Sequence, residues 1–263
     1  MKLLYVGGDT VTIGMEICGA EAIAGTGALY AGSRNLTGSL ARYPDIEISH
    51  MSALEAHARF PESASALAEF DALLLGDVGH DTIALYPDER LLRRSSNRVR
   101  EIVRYVESGG GLVYCGGHFS YQGRYGYGRW GGTCLADILP VVIAAVHDDR
   151  VEDMEGIEGV VVRPDHLILR DLKWNTAPVF LGYNRVETRP GADLLMTAGG
   201  DPLLAAWSWG RGRVAAFASS PTPHWGACFI QWPGYAGFWR NVLMWASGAA
   251  NMGQPGTDHG LEE

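Results

Sequence analysis

The stretch GGGLVYCGGHFSY, residues 109–121, decides the fold. Leu112–Cys115 runs without a polar interruption between two glycine clusters, the pattern of a strand buried on both faces. The segment before it, NRVREIVRYVES (97–108), sets Val99, Ile102, Val103 and Val106 at helical spacing, with Asn97 or Ser96 as N-cap and Gly109 as the stop. An amphipathic helix feeding a fully apolar strand is one unit of a parallel sheet.

The same unit repeats upstream. KLLYV (2–6) is an apolar run ended by Gly7-Gly8-Asp9, too short for a signal peptide and suited to a first strand. DIEIS (45–49) alternates as a second strand, residues 62–69 suit a short helix capped by Pro61 or Ser63, and FDALLLG (70–76) is a third strand that ends in the polar turn Asp77–Asp81. Residues 9–40, rich in Gly, Ala and Thr, suggest a long loop and then a helix near 34–43. Downstream, 116–132 is half glycine and aromatic and reads as a loop, and 133–139 as a short helix. The signals over 140–190 are mixed, with short runs VVIAAV, GVVV and VFLGYN. ADLLMTA, PLLAAWSW and RVAAFAS, split by glycine turns, predict antiparallel strands, and 234–247 predicts a closing helix. The expected fold is therefore α/β: a three-layer α/β/α domain with a mainly parallel central sheet and added antiparallel strands in the C-terminal half. One domain is expected over 1–249, followed by a polar tail, 250–263.

Composition narrows the partners. With 263 residues, 47% apolar and 19% charged, the chain can bury a full core. Its net charge of −9 and the lack of a basic stripe argue against nucleic acid and anionic membranes. No apolar stretch reaches the roughly 18 residues a bilayer span needs, so a cytoplasmic protein is expected. Cys18, Cys115, Cys134 and Cys228 form no CxxC pair and suggest neither a disulfide framework nor a zinc site. No cofactor and no metal are expected, because no HxH or HExxH spacing occurs.

Ligands in open α/β sheets sit beyond the carboxyl ends of the strands, which singles out the turns there. Asp77 and His80 follow one strand; they suit acid–base or substrate-orienting roles, or plain turn chemistry. Gly116, Gly117 and His118 follow another, with Tyr121 close behind. His224, between Pro223 and Trp225, follows a third and suits a general base, a ligand contact or a structural histidine. Asp149 and Arg150, in the charge run 148–152, and Asn184 are either pocket residues or parts of salt-bridged turns. The aromatics Phe119, Tyr121, Tyr125, Tyr127, Trp130, Trp225 and Trp232 suit a sugar-like ligand or a subunit interface.

Several segments resemble the glutamine amidotransferase-like family, a branch of the class I amidotransferase fold (flavodoxin-like) related to ThuA-like proteins. They are FDALLLGDVG (70–79), YPDERLLRRSSNRVREIVRYVESGGGLVYCGGHFSYQG (86–123), LADILPV (135–141), HDDRVED (147–153), FLGYNRVETRPG (180–191) and DPLLAAWSWGRGRVAAFASSPTPHW (201–225). The resemblance covers about residues 40–246, and 9–40 match poorly. It implies a cysteine on a G-x-C-x-G elbow, with a later His-Pro-Glu. Here the elbow position falls on Gly116, Cys115 comes one residue early, and His224 is followed by Trp225-Gly226. The resemblance thus implies the fold and a pocket, with His224, His118 and Asp77 as catalytic candidates and His80, Gly116, Gly117, Tyr121, Asp149, Arg150, Asn184 and Trp225 as ligand-binding candidates. A small polar, sugar-like ligand bound by a homo-oligomer without glutaminase activity is expected. The alternatives are a Cys115-dependent amidohydrolase and a non-catalytic oligomeric module.

Overall fold

The structure, a computed structural model, describes residues 1–18, 21–87 and 95–249. The expected tail over 250–263 lies outside the described residues.

The four strands expected in the N-terminal half are present: β1 (Lys2–Gly7), β4 (Glu47–Met51), β5 (Ala72–Gly76) and β6 (Gly111–Cys115). All pair in parallel, in the spatial order β4-β1-β5-β6. Strands β5 and β6 are buried at every residue, as their unbroken apolar sequences require. The last strand, β13 (Gly212–Phe217), inserts beside β6 in parallel, and β12 (Asp201–Trp209) and β11 (Asp193–Ala198) follow it antiparallel. The long β8 (Arg150–Val161) and β9 (Val179–Asn184) complete a nine-stranded mixed sheet. Counting the parallel strands in chain order gives 2-1-3-4-5, the flavodoxin-like order, which opens a crevice at the carboxyl ends of β1 and β5.

Helices cover the sheet. On one side α5 (Arg98–Glu107) packs with α3 (Ala64–Leu67) and α6 (Cys134–Ile138), with α2 (Ala53–Arg59) against α4 (His80–Ala84) beside them. The Asn97 carboxamide caps α5 by accepting from Arg100 N–H, and Ser63 caps α3. A capping box between Ser52 and Glu55 starts α2, a helix the sequence reading did not single out. On the other side α8 (Tyr235–Ala246) lies on β6 and β13 beside α1 (Ser33–Leu40). Phe217, Phe229, Phe238 and Trp239 meet there at ring separations of 5.2–6.3 Å, within the range favourable for aromatic pairs.

The helix expected near 34–43 is present as α1, but residues 9–31 differ from expectation. They are not a long loop but an antiparallel hairpin, β2 (Asp9–Cys18) with β3 (Glu21–Ala31), leading into α1. Glycine and alanine are poor strand formers, so local propensity suggested a loop, whereas pairing of the two arms satisfies the backbone. A second ribbon joins β7 (Val141–Ile143) to β10 (Val186–Thr188). The charge run 148–152, expected as a turn or solvated face, supplies the first residues of β8.

Candidate functional site

The strand β6 ends in the tightest backbone of the site. Gly116 N–H donates to both Phe217 O (2.8 Å) and Ser219 O (2.9 Å), clamping the turn against the end of β13. A Cβ on Gly116 would lie 2.0 Å from Ala218 O and 2.7 Å from Asn184 Oδ1, so no side chain fits there. Gly117 has a φ of +157°, and a Cβ on it would fall 2.3 Å from the Asp77 carboxyl carbon. The elbow is built from glycines because a neighbouring backbone and a carboxylate occupy the space of their side chains. Cys115, one residue earlier, is inside the ladder, paired with Gly76 on one side and Phe217 on the other. Its side chain is wholly buried, and burial pushes the thiol well above its ordinary pKa. A protonated thiol without solvent access is not a nucleophile.

Asn184 and Asp149 brace this elbow from behind. Asn184, fully buried at the end of β9, accepts from Gly117 N–H (2.9 Å) and donates through Nδ2 to Gly117 O (3.2 Å) and Asp149 Oδ1 (2.8 Å). Asp149 also accepts from Gln122 N–H and Gly123 N–H, each at 2.9 Å. Burial raises its pKa, while these hydrogen bonds oppose the rise. Both residues hold the loop 116–130 in place without reaching the cleft. Tyr121 is also buried, its ring edge-on to Tyr114 at 4.9 Å, so it packs the underside of the loop. Trp130 and Trp232 are buried as well, whereas Phe119, Tyr125 and Tyr127 are exposed.

In front of the elbow, a cleft of about 280 Å³ opens between the hairpin and the carboxyl ends of the strands. Asp9, Thr10, Thr12 and Tyr30 line its hairpin side, and Asp77, His118, Phe119, Thr222 and His224 the sheet side. Asp77 is held at a φ of 52° and accepts from Phe119 N–H at 2.6 Å. Burial pushes its carboxyl up to about 6, against the pull of that hydrogen bond and of His118.

His118 and His224, which follow different strands of the sheet, meet at its edge: their Nε2 atoms are 2.8 Å apart and their rings 3.9 Å. His224 stands at the start of α7 (Pro223–Gln231), stacked on Trp225 at 4.7 Å. Burial and the neighbouring His118 hold His224 down to about 4, so it is neutral at physiological pH. The carboxylate in this group is Glu152, which sequence reasoning missed. Its Oε1 lies 3.1 Å from His118 Nε2 and accepts from the Trp225 indole N–H at 3.0 Å. Burial pushes Glu152 up, but these bonds and Arg150 outweigh it and leave the carboxyl below its ordinary value. Arg150, two residues earlier on the same strand face, donates to Glu152 (3.2 Å) and makes two 2.9 Å bonds to Asp148. The strand alternation from Arg150 to Glu152 was the available signal; a charge run with no other mark hid it.

His80 does not join this group. It pairs with Asp81 at 2.9 Å and meets Trp130 edge-on, lining a separate surface depression with Arg129. The cleft thus combines two imidazoles, two carboxylates and hydroxyls, with no thiol among its lining residues, and can hold polar groups or a cation.

Comparison with known proteins bears on the family and the fold. Residues 2–248 match the sequence profile of GATase1_like, described as "Putative glutamine amidotransferase". Two cytoplasmic proteins of Salmonella typhimurium share the structure. One has 32% identity and a TM-score of 0.88, the other, from strain LT2, 33% and 0.87; each comparison covers 94% of this chain and 99% of theirs. A ThuA-like protein of Parabacteroides merdae has the same fold at 14% identity, with a TM-score of 0.55 over 94% of this chain and 90% of its own. No curated protein matches significantly.

Proposed function

Because the chain belongs to the GATase1_like family, we propose that it keeps the amidotransferase fold as a binding or catalytic platform for a small polar ligand and has no thiol-dependent glutaminase activity. The observation that carries this reading is Gly116. The elbow position has no room for a Cβ, and the adjacent thiol is buried in the ladder. A class I mechanism needs an exposed thiolate beside a histidine oriented by a carboxylate. Here His118 is in direct contact with the Glu152 carboxylate at 3.1 Å, and no cysteine is among the residues lining the cleft beside it.

The lining supports a sugar-like ligand. Tyr30 and Phe119 offer flat faces, and Asp9, Asp77, Thr10 and Thr222 offer the donors and acceptors a polyol requires. Ammonia release from glutamine tests the first half of the proposal. No turnover is expected from wild type or from Cys115→Ala; turnover in wild type that vanishes in Cys115→Ala would overturn it. Thermal-shift titration with a panel of monosaccharides and sugar acids tests the second half, with Phe119→Ala expected to weaken any stabilisation seen.

We further infer a cytoplasmic location from the description of the two Salmonella relatives. Among the described residues no helix is long and apolar enough to cross a membrane. A homo-oligomer is inferred from the exposed Phe119, Tyr125 and Tyr127, and light scattering tests it.

A further inference from the structure

We propose that His118, Glu152 and His224 form a binding site for one divalent transition-metal ion of the zinc class, with an open coordination position facing the cleft. The inference rests on the reading above only for where that position points.

Three elements far apart in sequence bring these side chains together: the loop after β6, the third residue of β8 and the first turn of α7. His118 and Glu152 are 34 positions apart, and His118 and His224 are 106 apart. Each residue nevertheless offers one ligand atom within 4.8 Å of the others. Both imidazoles present the same nitrogen, Nε2, toward the common point, at 2.8 Å from each other and with Glu152 Oε1 3.1 Å from His118.

Unless a second ring is protonated, one hydrogen serves the two facing nitrogens, and the same hydrogen is the one His118 has to offer Glu152. A cation at the centre would give the two facing imidazole lone pairs a common partner; Glu152 Oε1 already accepts from Trp225 and Arg150, and Arg150 Nη1 lies 3.5 Å from His118 Nε2. Zinc binds imidazole nitrogen and carboxylate oxygen at about 2.0–2.2 Å, which separates tetrahedral ligands by about 3.3 Å. The His118–His224 and His118–Glu152 spacings need to open by only a few tenths of an ångström, and all three ligand atoms already lie within 4.8 Å of one another.

The surroundings fit a held ion. The Trp225 indole and Arg150 fix the Glu152 carboxylate, and Arg150 is itself anchored by two bonds to Asp148. Orientation of a ligand by such outer partners is the rule in metal sites. Asp148, Arg150 and Glu152 sum to one negative charge, which a divalent ion reverses. His118 and His224 line the cleft, so a fourth ligand can reach the ion from that side. Two histidines, one carboxylate and a solvent position is a donor set of zinc hydrolases, as opposed to closed structural sites.

The test is titration of the untagged, chelator-stripped chain with Co2+, read by its visible absorption, followed by displacement with Zn2+. One ion per chain is expected, with absorption of low coordination symmetry lost on adding zinc. His118→Gln, His224→Gln and Glu152→Gln should each weaken binding by at least about 100-fold, since loss of an outer partner alone costs about 10–100-fold. Melting curves in chelator identify any variant that fails to fold, and the double variant His118→Gln/His224→Gln sets the background from other histidines. Wild-type binding no tighter than that background would overturn the proposal, as would single variants that bind like wild type. The glutamine assay reads a thiol and the cobalt titration reads imidazoles, so the two proposals fail independently.

Discussion

Replacing Gly116 with alanine adds one methyl group to the end of β6, and its cost follows from the structure. The new Cβ would stand 2.0 Å from Ala218 O, 2.5 Å from Ala218 C and 2.7 Å from Asn184 Oδ1. Two of these atoms are backbone, so relief requires the end of β13 to retreat by more than about 1 Å to restore ordinary contact. That retreat stretches the two bonds from Gly116 N–H to Phe217 O and Ser219 O and the bond from Asn184 N–H to Ala218 O. Each is worth about 1 kcal/mol net, so stretching the three without fully breaking them forfeits about 2 kcal/mol together, and forcing a group into a packed interior costs about 1–3 kcal/mol more. We expect Gly116→Ala to lose about 3–5 kcal/mol, a large part of the about 5–15 kcal/mol a domain has. Urea unfolding followed by tryptophan fluorescence measures the loss, and the thermal midpoint should fall by about 6–20 °C, at about 2–4 °C per kcal/mol for a chain of this size. Gly38→Ala is the control: it lies in α1 with nothing within 4 Å of its Cβ, and should stabilise by up to about 1 kcal/mol. A Gly116→Ala loss below about 1 kcal/mol would refute the reasoning. The elbow would then have room for a side chain, and the absence of a nucleophile there would be an accident of sequence rather than a consequence of the fold.

Asp77 predicts a pH effect of definite sign. Its folded pKa of about 6 lies above its ordinary value, so the native state favours the protonated acid, and stability is lost as pH rises through about 6. Asp77→Asn, which can still accept from Phe119 N–H, should flatten the stability profile between pH 4 and 7. At pH 8 it should gain about 1–3 kcal/mol over wild type; denaturation in chelator at several pH values checks this, and parallel profiles would refute it. Thiol alkylation of the native protein, mapped by peptide mass, should modify the exposed Cys228 and spare Cys115 until denaturant is added. Labelling of Cys115 under native conditions would return it to consideration as a nucleophile.

The parallel half of the fold was legible because each of its signals is local. Buried strands such as FDALLLG and GLVYC must be apolar throughout, and the α5 stripe and its Asn97 cap repeat at helical spacing. The hairpin over 9–31 was not legible, since its arms gain their backbone bonds from each other and carry residues that locally favour loops. At the site, the sequence alone determined that the elbow holds glycine instead of cysteine, and that His118 and His224 follow strands ending on one edge. Only the tertiary structure decided that Tyr121, Asn184 and Asp149 brace the loop instead of lining the cleft, and that His80 stands apart. It also decided that Glu152 completes the histidine pair. The physical reason is range. Burial, helix periodicity and turn chemistry are written within a few residues, whereas which buried polar atom meets which partner depends on strand register and packing between segments more than 30 positions apart.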